Sequence, residues 1–103
     1  MEQEKIVYIV GRTDVPRFWE QFEAAEDALT AEGFIPLSPS RLPWPLPEDK
    51  VMQLHTAGIN VADAVLFLPG WNRSTTAQIL MAYAKSLGKP VATSIEQLKE
   101  VCA

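Results

Sequence analysis

Two short apolar runs constrain this sequence more than any other feature. Residues Ile6–Val10 form a nearly continuous apolar run rich in β-branched side chains, and residues 64–68 form a second one. A strand that is apolar at almost every position is buried on both faces, which is typical of a central strand in a parallel sheet. Gly11 follows the first run, and Pro69 and Gly70 follow the second. The sequence therefore predicts two buried strands that each end in a loop.

Between these strands, apolar residues recur three or four positions apart, as on one face of an α-helix. The first such stretch is predicted to begin at an Asp14 cap and to end at Gly33. A second helix is predicted from Glu48, and a third from about Ser74 to Leu87. Helices thus follow both of the buried strands.

Two shorter strands and a terminal helix complete the pattern. Residues 34–37 predict a strand at an edge of the sheet, because their proline cannot donate to a ladder of hydrogen bonds. Val91–Ala92 predicts the last strand. Ser94, followed three residues later by Gln97, forms a capping box for a helix over Ile95–Val101.

This alternation predicts the fold class. Strands that alternate with helices form a parallel sheet with helices on both faces. We expect one α/β domain over residues 1–103, a Rossmann-like or flavodoxin-like three-layer sandwich with a parallel sheet of about four strands. Ligands of such folds bind at the carboxyl edge of the sheet, where the loops after the two buried strands meet.

Composition excludes several classes of function. Nine Lys and Arg against 13 Asp and Glu give a net charge of −4, which disfavours a nucleic acid polymer as partner. No apolar run approaches the ~18 residues of a membrane span. The single cysteine, Cys102, fits a reducing compartment, so we expect a cytoplasmic protein. With one histidine and no cluster of ligating residues, we expect neither a metal site nor a cofactor.

The loops after the two buried strands hold the candidate ligand-binding residues. The second loop leads into a predicted helix N-terminus, where free N–H groups, the helix dipole, hydroxyl groups and Arg73 favour an anion. Trp71 offers a face for a stacked base. The alternative is that Asn72 or Ser74 only caps the helix and that Trp71 packs at the rim of the core. The candidates in these loops are Gly11, Arg12, Thr13, Gly70, Trp71, Asn72, Ser74 and Thr75.

A proline-rich loop precedes the second helix. Residues 38–48 hold four prolines around Trp44, which excludes a helix or a central strand. In a chain of this size such a loop is a wall over a site or a lid. Trp44 either pins the loop to the body of the protein or stacks on a ligand.

Several short segments of the sequence, spread over residues 6 to 92, carry a resemblance to a known protein family. They are VYIVG (7–11), FWEQF (18–22), AAE (24–26), LTAEGF (29–34), PSRLP (39–43), ADAV (62–65), LPGW (68–71), Ser74 and LGKPV (87–91). In this order they resemble the nucleoside 2-deoxyribosyltransferase superfamily, in particular its compact branch, the DUF4406 proteins of bacteria and phages. The resemblance implies a Rossmann-like fold and a homo-oligomer.

The resemblance also implies cleavage or transfer of an N-glycosidic bond. In that chemistry a glutamate attacks the anomeric carbon of the sugar, and a nearby aspartate positions the glutamate and the ribose. Counted from the matching pieces, Leu80 stands at the position of the glutamate and His55 at that of the aspartate. Because both acids are missing, we name no catalytic residue, and whether the protein is an enzyme stays open.

His55 has two interpretations. On its predicted helix it lies beside Leu54, Gly58 and Ile59 at the edge of the apolar face, where a histidine is packed and hydrogen-bonded. Alternatively, it projects towards the sugar position and donates to a ribose hydroxyl or a phosphate. With a reference pKa near ~6.5, it would then make binding sensitive to pH.

Three hypotheses for the function follow. The first is binding of a nucleoside, a nucleotide or a related ADP-ribose-like molecule without catalysis. The second is an N-glycosidase or deoxyribosyltransferase with a relocated acid, Glu48 or Asp49. The third is a protein-interaction module with a vestigial crevice, in which Phe18, Trp19 and Trp44 bind a partner or a second copy.

Overall fold

Strands and helices alternate along the chain, as the sequence predicts. A computed structural model describes residues 5–39 and 46–102. The strands are β1 (Ile6–Val10), β2 (Ile35–Leu37), β3 (Ala64–Phe67) and β4 (Val91–Ala92). The helices are α1 (Phe18–Ala31), α2 (Glu48–Val61), α3 (Thr75–Ser86) and α4 (Ile95–Val101), and a short 3₁₀ turn, Trp71–Arg73, precedes α3.

The four strands pair in parallel in the order β2-β1-β3-β4. The two apolar runs form the centre of the sheet, with Tyr8 opposite Val65 and Val10 opposite Phe67. Strand β2 lies at one edge, where the missing N–H of Pro36 is tolerated. The parallel four-stranded sheet and the edge position of β2 are therefore confirmed.

Alternate side chains of β1 point into two separate apolar layers. Val7 and Ile9 pack on one face of the sheet with residues of α1 and α4, among them Phe22, Leu29 and Leu98. Tyr8 and Val10 pack on the other face with residues of α2 and α3, which include Ile59, Ala77, Leu80 and Ala84. The predicted three-layer α/β sandwich is confirmed.

The predicted start of α1 is wrong. Asp14 does not cap the helix, because its carboxylate accepts hydrogen bonds from the Arg12 guanidinium, at 2.9 Å from Nε. The helix begins at Phe18, after Arg17, whose φ of 57° places it in the left-handed region. Residues 14–17 form a bend and a turn instead of the first helical turn.

The caps of α3 and α4 agree with the sequence. Ser74 Oγ accepts a hydrogen bond from the N–H of Ala77 at 3.2 Å. Ser94 Oγ accepts one from the N–H of Gln97 at 3.1 Å, and Gln97 Oε1 accepts one in return from the N–H of Thr93 at 2.7 Å. Both helices therefore begin where their capping residues predict.

The orientation of α2 differs from the prediction in one position. The helical spacing places Leu54 on the inner face, but its side chain is 44% exposed, whereas the neighbouring His55 is only 4% exposed. Gly58 lies on the inner face as expected and contacts the ring of Tyr8 so closely that a β-carbon there would overlap the ring. The helix is thus rotated to place a polar histidine inside and a leucine outside.

No helix within the described residues is long and apolar enough to cross a membrane. Trp44, in the proline-rich loop, lies outside the described residues. Its two predicted roles, pinning the loop or stacking on a ligand, therefore stay predictions.

We expect Gly58→Ala to destabilise the fold by about 1–3 kcal/mol, because the added methyl group overpacks the contact with Tyr8. Without that contact, the better helix propensity of alanine would stabilise the protein by about 1 kcal/mol. Urea unfolding measures the difference in free energy of unfolding between the variant and the wild type. A less stable variant supports the close contact with Tyr8, and a more stable one contradicts it. The same substitution in a Tyr8→Val background, which removes the ring, serves as the control and should cost less.

Candidate functional site

A cleft of about 400 Å³ opens at the carboxyl edge of β1. Its walls come from the end of β1 and the loop after it, and from the N-terminal parts of α2 and α3 with the residues just before them, which the parallel topology brings to the same edge of the sheet. The lining residues are Val10, Gly11, Thr13, Asp14, Leu46, Glu48, Val51, His55, Arg73, Ser74, Thr75, Thr76, Ala77 and Leu80.

Five of the nine residues predicted from the sequence to bind a ligand line this cleft. Gly11 and Thr13 contribute from the loop after β1, His55 from α2, and Ser74 and Thr75 from the start of α3. These residues are far apart in the sequence. The fold brings them together because β1 and β3 are neighbours and α2 and α3 cover the same face of the sheet.

The other four predicted residues lie outside the cleft, and each has a structural role. Arg12 donates to Asp14, and Gly70 adopts a φ of 87° ahead of the 3₁₀ turn. Trp71 packs edge-on against Phe67, with 5.4 Å between ring centroids. The carbonyl of Asn72 accepts a hydrogen bond from the side chain of Gln78. Trp71 thus packs at the rim of the core, the alternative to stacking on a base.

The N-terminus of α3 presents unused hydrogen-bond donors to the cleft. The N–H of Ala77 is satisfied by Ser74 Oγ, but the N–H groups of Thr75 and Thr76 have no acceptor among the described residues. Arg73 also lines the cleft and forms no ion pair within residues 5–39 and 46–102. Two free amides, a helix dipole and a guanidinium make this end of the cleft electropositive.

His55 lies on the opposite wall and is held from below by Tyr8. Its Nδ1 lies 2.7 Å from the hydroxyl oxygen of Tyr8, which rises from β1. Burial lowers the pKa of His55 to about 4 and raises the pKa of Tyr8, so that both side chains are neutral near pH 7. The titration predicted near pH 6.5 is therefore displaced towards more acidic solutions.

The acidic groups of the cleft lie near its mouth. Leu80, fully buried, forms part of the cleft wall and brings no charge. Glu48 lines the cleft from the exposed first turn of α2, whereas Asp49 does not line it. Asp14 also lines the cleft, but the hydrogen bonds from Arg12 lower the pKa of its carboxyl and hold it as an ion. Glu48 is thus the lining acid without an ion pair in the described part of the chain.

Sequence reasoning missed part of this lining. Val51 precedes His55 by one helical turn and therefore lies on the same face of α2, a spacing that could have predicted it. The residue type of Asp14 favours a helix cap, and no sequence signal distinguishes that role from pairing with Arg12. Leu46 enters the wall through a loop whose path the sequence does not predict.

A metal centre finds no support in the part of the chain that is described. Searched over those residues, the structure holds no group of three His, Cys, Asp or Glu side chains that could hold a metal ion. The cleft instead offers hydrogen-bond donors, one guanidinium and one free carboxylate.

Comparison with known proteins identifies a family. The sequence matches the family described as "Domain of unknown function (DUF4406)" over residues 5–93, which include both central strands and the whole cleft lining. No curated protein matches the chain.

We expect the stability of the protein to fall in mild acid because of His55. The unfolded histidine takes up a proton near pH ~6.5, whereas the folded one stays neutral down to about pH 4. Protons therefore favour the unfolded state in this window. Lowering the pH from about 7.5 to about 5 reduces the free energy of unfolding by roughly 2 kcal/mol.

Urea unfolding of the wild type and of His55→Gln at several pH values measures this loss. Carboxylates titrate in both proteins, so the difference between them isolates His55, the chain's one histidine. Identical pH dependence in the two proteins would contradict the buried, neutral state of His55.

Proposed function

The chain belongs to the DUF4406 family, and we propose that its cleft binds a nucleoside- or nucleotide-like ligand. The observation that carries the proposal is that one cleft combines an electropositive end with a wall of polar groups that carries no cation among the described residues. The start of α3 offers free amides and Arg73 for an anionic group, and the α2 wall offers His55 and Glu48 for polar uncharged groups. A phosphorylated sugar carries both kinds of group.

The electropositive end fits one phosphate group. The amides of Thr75 and Thr76 and the guanidinium of Arg73 can each donate to a phosphate oxygen. Asp14 and Glu48 line the same cleft, and the chain has a net charge of −4. A triphosphate would meet this negative charge with few cations to offset it, which favours a monophosphate or an uncharged nucleoside.

The other wall fits a sugar. A carboxylate accepts hydrogen bonds, so Glu48 can receive them from sugar hydroxyls. A neutral histidine can donate to a hydroxyl or ring oxygen, and His55 is neutral near pH 7. Val51 and Leu80 add apolar surface to the same cleft.

The resemblance to the nucleoside 2-deoxyribosyltransferase superfamily points to the same ligand class. Leu80 and His55 stand where that resemblance places the two catalytic acids, and both line the cleft. A leucine cannot attack a sugar carbon, so we propose binding without the chemistry that the resemblance implies. A homo-oligomer and a cytoplasmic location remain predictions.

The interaction-module hypothesis has less support. Of its three aromatic residues, Phe18 is partly buried against the core, and Trp44 lies outside the described residues. Trp19 is 44% exposed and contacts Phe18 edge-on. One exposed tryptophan is a smaller patch than a stable protein interface requires.

We expect adenosine 5′-monophosphate to bind the cleft and Arg73→Gln to weaken that binding about tenfold, the effect of a charge-assisted hydrogen bond worth ~1.4 kcal/mol. Adenosine, which lacks the phosphate, should bind both proteins equally. Isothermal titration calorimetry measures the two affinities. Arg17→Gln is the matched control, because Arg17 is exposed, pairs with Glu20 and lies outside the cleft.

A backbone variant tests the amides of α3 directly. Thr75→Pro removes one free N–H at the first helical position, where proline is tolerated, and Ser74 already has an extended conformation suited to a following proline. We expect about fivefold weaker binding of the monophosphate with an unchanged melting temperature, since one hydrogen bond contributes ~1 kcal/mol. The proposal is wrong if no nucleoside or monophosphate binds the wild type.

A second candidate function is N-glycosidic bond cleavage with Glu48 as the relocated acid. The observation in its favour is that Glu48 lines the cleft while Asp49 does not. On this hypothesis the wild type would release free base from deoxynucleosides or their monophosphates, detected by chromatography, and Glu48→Gln would abolish the release. If only Leu80→Glu releases base, the scaffold retains the geometry for the reaction and the wild type is a binding protein.

A further inference from the structure

We propose that Tyr8 is a positioning residue that fixes His55 in one tautomer, with the proton on Nε2, and so makes it a donor to an uncharged oxygen of the ligand. The claim about the ligand rests on the proposed function, whereas the claim about the tautomer does not. It starts from the 2.7 Å hydrogen bond between Tyr8 Oη and His55 Nδ1.

The direction of this hydrogen bond follows from the partners available. A phenol hydroxyl carries one proton, and Tyr8 is only 4% exposed. Among the described residues, Nδ1 of His55 is the acceptor within reach of that proton. Tyr8 therefore donates to Nδ1, and a neutral imidazole that accepts at Nδ1 carries its proton at Nε2.

The free nitrogen of His55 faces the cleft. Every fully buried side-chain nitrogen or oxygen in the described residues has a hydrogen-bond partner. Nε2 has no partner in that part of the chain, so it is not fully buried. His55 is 96% enclosed and lines the cleft, and the accessible edge of its ring therefore opens into it.

The surroundings of His55 favour an uncharged acceptor. Val51, one helical turn before His55, is apolar, Leu80 adds a further apolar side chain to the same cleft, and burial keeps the imidazole neutral. A phosphate is better served at the start of α3, where Arg73 and two free amides lie. The group left for Nε2 is a hydroxyl, ring or carbonyl oxygen of the sugar or base.

The fold keeps the Tyr8 hydroxyl in place. Gly58 of α2 lies against the ring of Tyr8 with no room for a side chain. His55 precedes Gly58 by three residues and thus lies on the same face of the helix. The ring of Tyr8 is therefore held between its own strand and the helix that carries its hydrogen-bond partner.

Nuclear magnetic resonance of the imidazole tests the tautomer. With ¹⁵N-labelled protein at about pH 7, long-range ¹H–¹⁵N correlation gives the signals of a single histidine, because the chain has one. We expect the wild type to show a protonated Nε2 and an unprotonated Nδ1. Tyr8→Phe, which keeps the ring against Gly58 and removes the hydroxyl, should shift the population towards a mixture of tautomers.

Tyr83→Phe is the matched control. It removes a phenol hydroxyl that also bonds to α2, at Asn60 Oδ1, but does not touch His55. We expect its histidine signals to equal those of the wild type. With adenosine as the probe, Tyr8→Phe should bind about five- to tenfold more weakly than the wild type, and Tyr83→Phe should bind equally.

The outcomes separate the two proposals. A protonated Nδ1 in the wild type, or equal adenosine binding by Tyr8→Phe and the wild type, overturns the present proposal. If the wild type binds neither adenosine nor its monophosphate, the proposed function fails and with it the donor role towards a ligand. The tautomer of the wild type then decides whether Tyr8 positions His55, and this measurement requires no variant to fold.

Discussion

The contact between Gly58 and Tyr8 is the constraint on which the α2 side of the structure depends. Because Gly58 has no side chain, α2 can lie directly against the aromatic ring that rises from β1. That approach brings His55 within 2.7 Å of the Tyr8 hydroxyl. A histidine buried in an apolar layer would cost free energy without a partner, and this hydrogen bond supplies one.

The rest of the cleft follows from topology. Strands β1 and β3 are neighbours, and helices α2 and α3 cover the same face of the sheet. Their first turns therefore meet beside the end of β1, and each brings a different chemistry. The start of α3 is electropositive because its first amides are free, whereas the α2 wall carries a neutral donor and a carboxylate. A ligand that bridges the two helices must match both.

The sequence predicted the fold because its signals are local and agree with one another. Apolar runs, helical spacing and the caps at Ser74 and Ser94 each predict an element that the structure contains. The position of the cleft was also predictable, because it follows from the order of strands and helices. Five predicted residues lie in it for that reason.

Other features could not be predicted, because they depend on partners distant in the sequence. Hydrophobicity alone places Leu54 inside and His55 at the edge, but the Tyr8 hydroxyl, 47 residues from His55, reverses that order. Asp14 has the ideal residue type for a cap, but the guanidinium two positions before it binds its carboxylate. Trp71 could stack on a base or pack on the core, and the local sequence pattern does not distinguish these two roles. In the structure it packs on Phe67.

The central claim is that the cleft holds a ligand with its anionic group at the start of α3 and its uncharged part against α2. Backbone amide shifts recorded while adenosine 5′-monophosphate is added test it most directly. The account predicts the largest changes at Thr75 and Thr76, with further changes around His55 and none along α4 on the other face of the sheet. No change at Thr75 and Thr76 when the ligand is saturating, or changes centred on α1 and α4, would contradict it.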